Sequence, residues 1–143
     1  AIFGGTMLKQ ARLLKKRGNT GETLRVLDAI LAFPAANGQE KAEALVTIGD
    51  IHLAKGKPEI AIPYYQRVYV MHGRWKPWVA KAYLRSGEAF EKIKDPTSAR
   101  RTYHELVSNP ELAEFPETET ASKHLLALGG SPPKESNAKP PQG

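Results

Sequence analysis

Three stretches of the chain come into register when the sequence is displaced by 38 residues. Gly18, Gly56 and Lys94 fall together, as do Ala11, Gly49 and Gly87, then Leu14, His52 and Phe90. Further along, the same displacement superposes Thr23, Ala61 and Ala99, then Leu27, Tyr65 and Tyr103, then Ile30, Val68 and Leu106. A fixed period of about 20 to 50 residues marks stacked supersecondary units. No such unit buries its apolar face alone, so each covers its neighbour. The architecture that follows is a solenoid, which presents a surface without declaring what that surface meets.

Within the period the apolar spacing is helical. In the second unit, 39–73, Ala42, Leu45, Ile48, Gly49, Ile51 and His52 form one stripe and predict a first helix from about Gln39 to Lys55. Gly56 stands where a left-handed residue closes a helix. Pro58 then opens a second helix in its first turn, where a missing N–H costs nothing. That helix is expected to turn Ile60, Ala61, Tyr64, Tyr65 and Val68 inward. Pro63 lies inside it and predicts a local bend, because an internal proline forfeits a backbone bond. The third unit, 77–109, repeats the scheme. Pro77 opens the first helix, whose stripe is Val79, Ala82, Tyr83, Ser86, Gly87 and Phe90. Asp95 is placed as an N-cap and Pro96 as the first residue of the second helix, with Ala99, Tyr103 and Leu106 inward. The first unit, 3–36, has Met7, Ala11 and Leu14 in one helix and Leu24, Leu27 and Ile30 in the next. Asn19 and Glu22 have the spacing of a capping box. Gln10 is polar where the second unit has Ile48. The register fades after Pro110, but 116–128 reads as one more helix, with Ala121, His124, Leu125 and Leu128 on one face. It would cover the last open face of the stack. From Gly129 to Gly143 the chain is rich in proline and lysine, has little to bury and is expected to be disordered.

The chain has 143 residues, enough for one domain. It has no cysteine, which excludes disulfides, thiolate catalysis and Cys-ligated zinc together. It has no apolar run near the roughly 18 residues of a membrane span. The net charge of +6 favours weak attraction to anions but is too small to imply nucleic-acid binding. The sequence starts at Ala1, so an upstream segment stays open. The compartment stays open too, between cytoplasm and a bacterial periplasm or cell envelope.

Small and large residues alternate across each pair of helices: Leu45 and Tyr83, then Gly49 and Gly87, then His52 and Phe90, then Ala61 and Ala99, then Tyr65 and Tyr103. This pattern resembles the tetratricopeptide repeat, strongly in the second and third units and in part in the first. The resemblance implies an all-α fold: a right-handed α-solenoid of about three helical hairpins with a C-terminal capping helix. The period of 38 is longer than the family's usual 34, and in this it resembles repeats of bacterial cell-envelope members. The resemblance also implies a scaffold that binds a peptide or partner protein, with no cofactor and no catalysis, and with further repeats upstream in a parent chain as one possibility.

In this family the first helix of each hairpin lines the concave groove. The groove residues would be Leu8, Arg12, Lys15 and Lys16 in the first unit and Glu43, Val46, Asp50 and Leu53 in the second. In the third they would be Lys81, Leu84, Arg85, Glu88 and Glu91. Such a mixture suits a peptide with both apolar and charged anchors; the plain alternative is a solvated charged face. Lys81 and Arg85 match the last pair of the family's five-residue carboxylate clamp, but Leu8, Arg12 and Thr47 depart from its other three positions. Trp75 and Trp78 flank Pro77 and read either as a plug between hairpins or, for Trp75 above all, as a contact residue. Lys9, Arg12, Lys15, Lys16 and Arg17 could meet phosphates, but no aromatic residue is interleaved for base stacking, so nucleic acid is disfavoured. An anion-binding surface for nucleic acid or acidic lipid, and a docking segment of a larger enzyme, remain the alternative functions. His52, His72, His104 and His124 lack metal-ligand spacing, and His52 reads as a core histidine. No phosphate loop, nucleophile elbow or zinc-protease motif occurs.

Overall fold

The computed structural model describes residues 2–130, with side chains from Gly4 onward. Among the described residues there are seven α-helices and no strand. They are α1 (Ile2–Lys16), α2 (Thr20–Ala32), α3 (Gly38–Ala54), α4 (Pro58–Met71), α5 (Lys76–Lys92), α6 (Pro96–Ser108) and α7 (Pro116–Ala127). Each helix packs on the next in the chain, and α1, α3, α5 and α7 also touch in succession. The first helices of the hairpins therefore form one layer, and α2, α4 and α6 form the other. This is the expected all-α stack of three hairpins and a closing helix. The tail beyond Gly130, which the sequence reads as disordered, lies outside the described residues.

The joints explain why the period is kept. Gly18 and Gly56 adopt φ of +80° and +75°, and Lys94 takes the same role at φ +65° without being a glycine. Pro58 and Pro96 sit in the first turns of α4 and α6. Within each hairpin a glycine lets the helices approach. A Cβ on Gly49 would lie 2.5 Å from the Tyr65 ring, and one on Gly87 would lie closer still to Tyr103. Both tyrosines are fully buried.

Two local expectations are corrected. The Asn19–Glu22 capping box does not form: Asn19 makes no side-chain cap, and Glu22 pairs with Arg25 at 2.9 Å. The box forms instead at Asn37 and Glu40, each side chain accepting from the other's backbone N–H at 2.8 and 2.9 Å. In α4, Ile62 is buried and Ile60 is 39% exposed, because Ile62 and not Ile60 shares the stripe of Pro58, Tyr65 and Val68. The helix runs unbroken through Pro63, which lies on its exposed side. Between α6 and α7 a short 3-10 turn, Pro110–Leu112, sends Leu112 fully into the core. The Thr118 hydroxyl donates to the Leu112 carbonyl at 2.6 Å and locks this turn to α7.

The core is continuous in kind but falls into two clusters. One joins α1, α2 and α3 around Leu8, Leu27, Ile30 and Ile48. The other runs from α3 to α7 around Leu45, Tyr65, Val79, Tyr103, Leu112 and Leu125. Leu31 and Tyr64 pack against both and bridge them.

Candidate functional site

The layer of first helices carries a chain of polar pairs from α1 to α7. Arg12 of α1 reaches Glu43 of α3 with two hydrogen bonds, both of 2.7 Å. Asp50 of α3 pairs with Arg85 of α5 at 2.6 Å. Glu91 of α5 meets His124 of α7 at 2.9 Å. In the second and third hairpins the core tyrosine closes the arrangement. The Tyr65 hydroxyl donates to Asp50 at 2.7 Å, and the Tyr103 hydroxyl donates to Glu91. Tyr103 also approaches His124 Nδ1 at 3.3 Å. The residues at Tyr65 and Tyr103 thus do two things: the ring fills the space over a glycine, and the hydroxyl fixes a carboxylate at the groove floor. The first hairpin has Leu27 at this position, and its groove pair, Arg12 with Glu43, holds without a hydroxyl.

Environment sets the charge states. Burial, then the adjacent carboxylate, raises the pKa of Tyr65 and of Tyr103, so both stay protonated donors. Burial opposes the charge on Arg85, but its hydrogen bond to Asp50 and their mutual attraction outweigh it, and the net shift is upward. The hydrogen bond that Arg12 donates to Glu43 is the main reason its pKa is held above the ordinary value. Burial raises Glu88 above the ordinary glutamate value, with Arg85 and His124 opposing.

Two adjoining hollows open beside these pairs. One, of about 490 Å³, is lined by Leu53, Glu88, Glu91, Lys92, Lys94 and His124. The other, of about 370 Å³, is lined by Asp50, Leu53, Ala54, Arg85 and Lys92. They share Leu53 and Lys92 and make one trough over α3, α5 and α7. A separate hollow of about 200 Å³ lies between α1 and α3, with Leu8, Arg12, Lys15, Glu43 and Thr47 in its wall.

The expected groove residues divide accordingly. Asp50, Leu53, Arg85, Glu88 and Glu91 come together in the trough. Arg12, Lys15 and Glu43 share the smaller hollow. Val46 and Leu84 are corrected: at 1% and 8% exposed they belong to the core. The reason is that α3 and α5 are covered on three sides, by two second-layer helices and by each other. Lys81 lies 5.3 Å over the Trp78 ring and lines neither hollow. With Arg85 tied to Asp50, the Lys81–Arg85 pair of the clamp pattern does not converge on open space. Lys16 is exposed outside both hollows. Trp75 packs its indole nitrogen against Gly38 at the start of α3, and Arg74 stacks over its ring at 5.2 Å. Sequence reasoning missed Lys92, Lys94 and His124 in the trough. Lys92 was within reach, one turn beyond Glu88 on the same helix; His124 needed the seat of α7. Among the described residues no group of three potential metal ligands converges, and no helix is long and apolar enough to cross a membrane.

The tetratricopeptide-repeat family profile matches residues 81–111, which take in most of α5, all of α6 and the turn after it. The matched segment is a tetratricopeptide repeat, and the all-helical stack is of the tetratricopeptide type. Comparison with curated proteins gives no match. Tetratricopeptide repeats generally mediate protein–protein interaction, and folds of this type are typically scaffolds without enzymatic activity.

Proposed function

We propose that this protein holds a peptide segment of a partner protein in the trough over α3, α5 and α7. The observation that carries the reading is the trough itself, two hollows of about 490 and 370 Å³ joined at Leu53 and Lys92. Its lining offers one large apolar side chain, Leu53, beside the small Ala54 and between fixed charges of both signs. The tyrosine-held carboxylates and Arg85 are pre-positioned, so a ligand would not have to order them. Lys92 and Lys94 are exposed on the rim, where charges steer encounter more than they add affinity. The arrangement suits a segment with one apolar anchor flanked by charged residues.

The test is selection of binding peptides from a displayed random library against the wild-type protein. Selected peptides are then titrated against Leu53→Asp and Lys92→Glu, each checked for an unchanged helical spectrum. Loss of at least about tenfold in affinity for Leu53→Asp, or about 1.4 kcal/mol, is expected. Peptides that bind both variants as tightly as the wild type would place recognition elsewhere and defeat the proposal.

A further inference from the structure

The outer face of α4 breaks a pattern that its sister helices keep. Displaced by 38 residues, Ile60 falls on Glu22 of α2 and Ser98 of α6, Pro63 on Arg25 and Arg101, and Val70 on Ala32 and Ser108. At these positions α2 and α6 carry polar or small side chains, and α4 carries large apolar ones. Ile60 is 39% exposed, Val70 75% and Met71 65%, and Pro63 is exposed with them. Their spacing, with Arg67 among them, puts all five on the side of the helix opposite the buried Ala61, Tyr65 and Val68. α4 packs chiefly on α3 and α5, and this side is left open. Apolar side chains grouped on a surface in this way mark a contact, whereas scattered ones do not.

A shallow hollow of about 280 Å³ lies on this face, lined by Pro63, Gln66, Arg67, Val70 and Met71. Arg67 is its one charged residue. It is exposed, and among the described residues no carboxylate pairs with it. No acid stands one turn before or after it in α4. Glu59, on the same side, is two turns back, about 12 Å along the helix. The surroundings of Arg67 are positive. His72, at the end of α4, has its pKa lowered by burial first, and then by Lys41 and Arg67. Covering Arg67 with apolar surface alone would strand its charge, which opposes binding. Whatever seats on this face must therefore bring an anion to Arg67.

We propose that the outer face of α4 docks an amphipathic acidic segment of a partner protein, its apolar side chains against Pro63, Val70 and Met71 and a carboxylate on Arg67. A guanidinium takes a carboxylate through two parallel N–H donors, a geometry that fixes register as well as affinity. An arginine ringed by apolar surface is a favoured anchor in protein interfaces. The rows of phosphates in nucleic acid or an acidic bilayer call for several cations together. This face has one, with Glu59 to repel such a surface, so it fits a single well-placed carboxylate. The face belongs to the second layer of helices, and the trough to the first, so the two contacts are separate.

The experiment selects from a displayed random peptide library on the full wild-type chain, after depletion on a double variant, Arg67→Glu with Val70→Asp. Depletion removes peptides that bind elsewhere, those of the trough included. Both substituted side chains are exposed, and circular dichroism checks that the variant is folded. Recovered peptides should carry an aspartate or glutamate beside apolar residues. They should bind Leu53→Asp as tightly as the wild type and lose at least about tenfold in affinity on Arg67→Glu alone. Exchanging the peptide's acid for lysine should restore binding to Arg67→Glu. Vesicles of phosphatidylserine are tested beside the peptides. The proposal is overturned if no peptide survives depletion, if the survivors lack an acid, or if they bind Arg67→Glu undiminished. Vesicles that sediment with the wild type and not with the double variant, while no peptide is recovered, overturn it in favour of a membrane.

Discussion

Gly87 has no room for a side chain, and this makes it the most exacting position in the third hairpin. Even a methyl group would meet the buried Tyr103 ring, which is itself held by its hydrogen bond to Glu91. Gly87→Ala should therefore lose about 1–3 kcal/mol to overpacking, despite the better helix propensity of alanine. The measurement is the chemical denaturation midpoint, and an unchanged midpoint would mean that the α5–α6 crossing can open without cost. Glu88, the next residue, gives a prediction about pH. Burial raises its pKa from the ordinary 4.5, so the folded state takes up the proton more readily than the unfolded state. Its contribution to stability is then fully present below the unfolded pKa and is lost as pH rises through the folded one. Glu88→Gln should flatten that part of the pH–stability curve and exceed the wild type in stability at neutral pH. Urea denaturation at about pH 4 and pH 7 measures both. A variant that is weaker at neutral pH would show that Arg85 depends on the Glu88 charge as well as on Asp50.

At the level of the element, helix ends decide how well each hairpin is specified. Asn37 and Glu40 form a reciprocal capping box at α3, so Asn37→Ala should cost about 0.5–2 kcal/mol. The same change at Asn19, which caps nothing with its side chain, should cost less, and thermal melts of the two variants compare them directly. Lys94 holds a left-handed conformation that favours glycine, as Gly18 and Gly56 do in the other two hairpins. Lys94→Gly should raise stability by about 0.5–1 kcal/mol, the relief of strain exceeding the added freedom of the unfolded chain. The contrast between Asn19 and Asn37 shows how far the sequence could be read. Proline, glycine and the apolar stripe located every hairpin, because those signals act within one or two turns. The two Asn-x-x-Glu spacings are equivalent on paper, and only the entry path of the chain into α3 selects one. Val46 and Leu84 went astray for a similar reason. In a helix buried on three sides the stripe covers most of the circumference, so periodicity cannot separate the seam from the groove. The trough itself was half legible. Its carboxylates and Arg85 followed from the groove register, but their pairings join residues 31 and 33 positions apart in Arg12–Glu43 and Glu91–His124, and no local pattern announces them.

For the whole molecule the nearest-neighbour plan governs how stability is distributed. A hairpin in the middle of a stack has two neighbours and one at an end has one. Amide exchange should accordingly be slowest in α3, α4 and α5 and fastest in α1 and the last turn of α7. Uniform protection across all the helices would mean that the array opens only as a unit. The place where the second hairpin meets the third also holds both of the chain's tryptophans. Trp75 rests on Gly38, and Trp78 lies beneath Lys81. Indole emission from this protein is therefore a private signal of that single joint. A fluorescence trace will stay silent while either terminus frays, and it will change only when the second hairpin parts from the third.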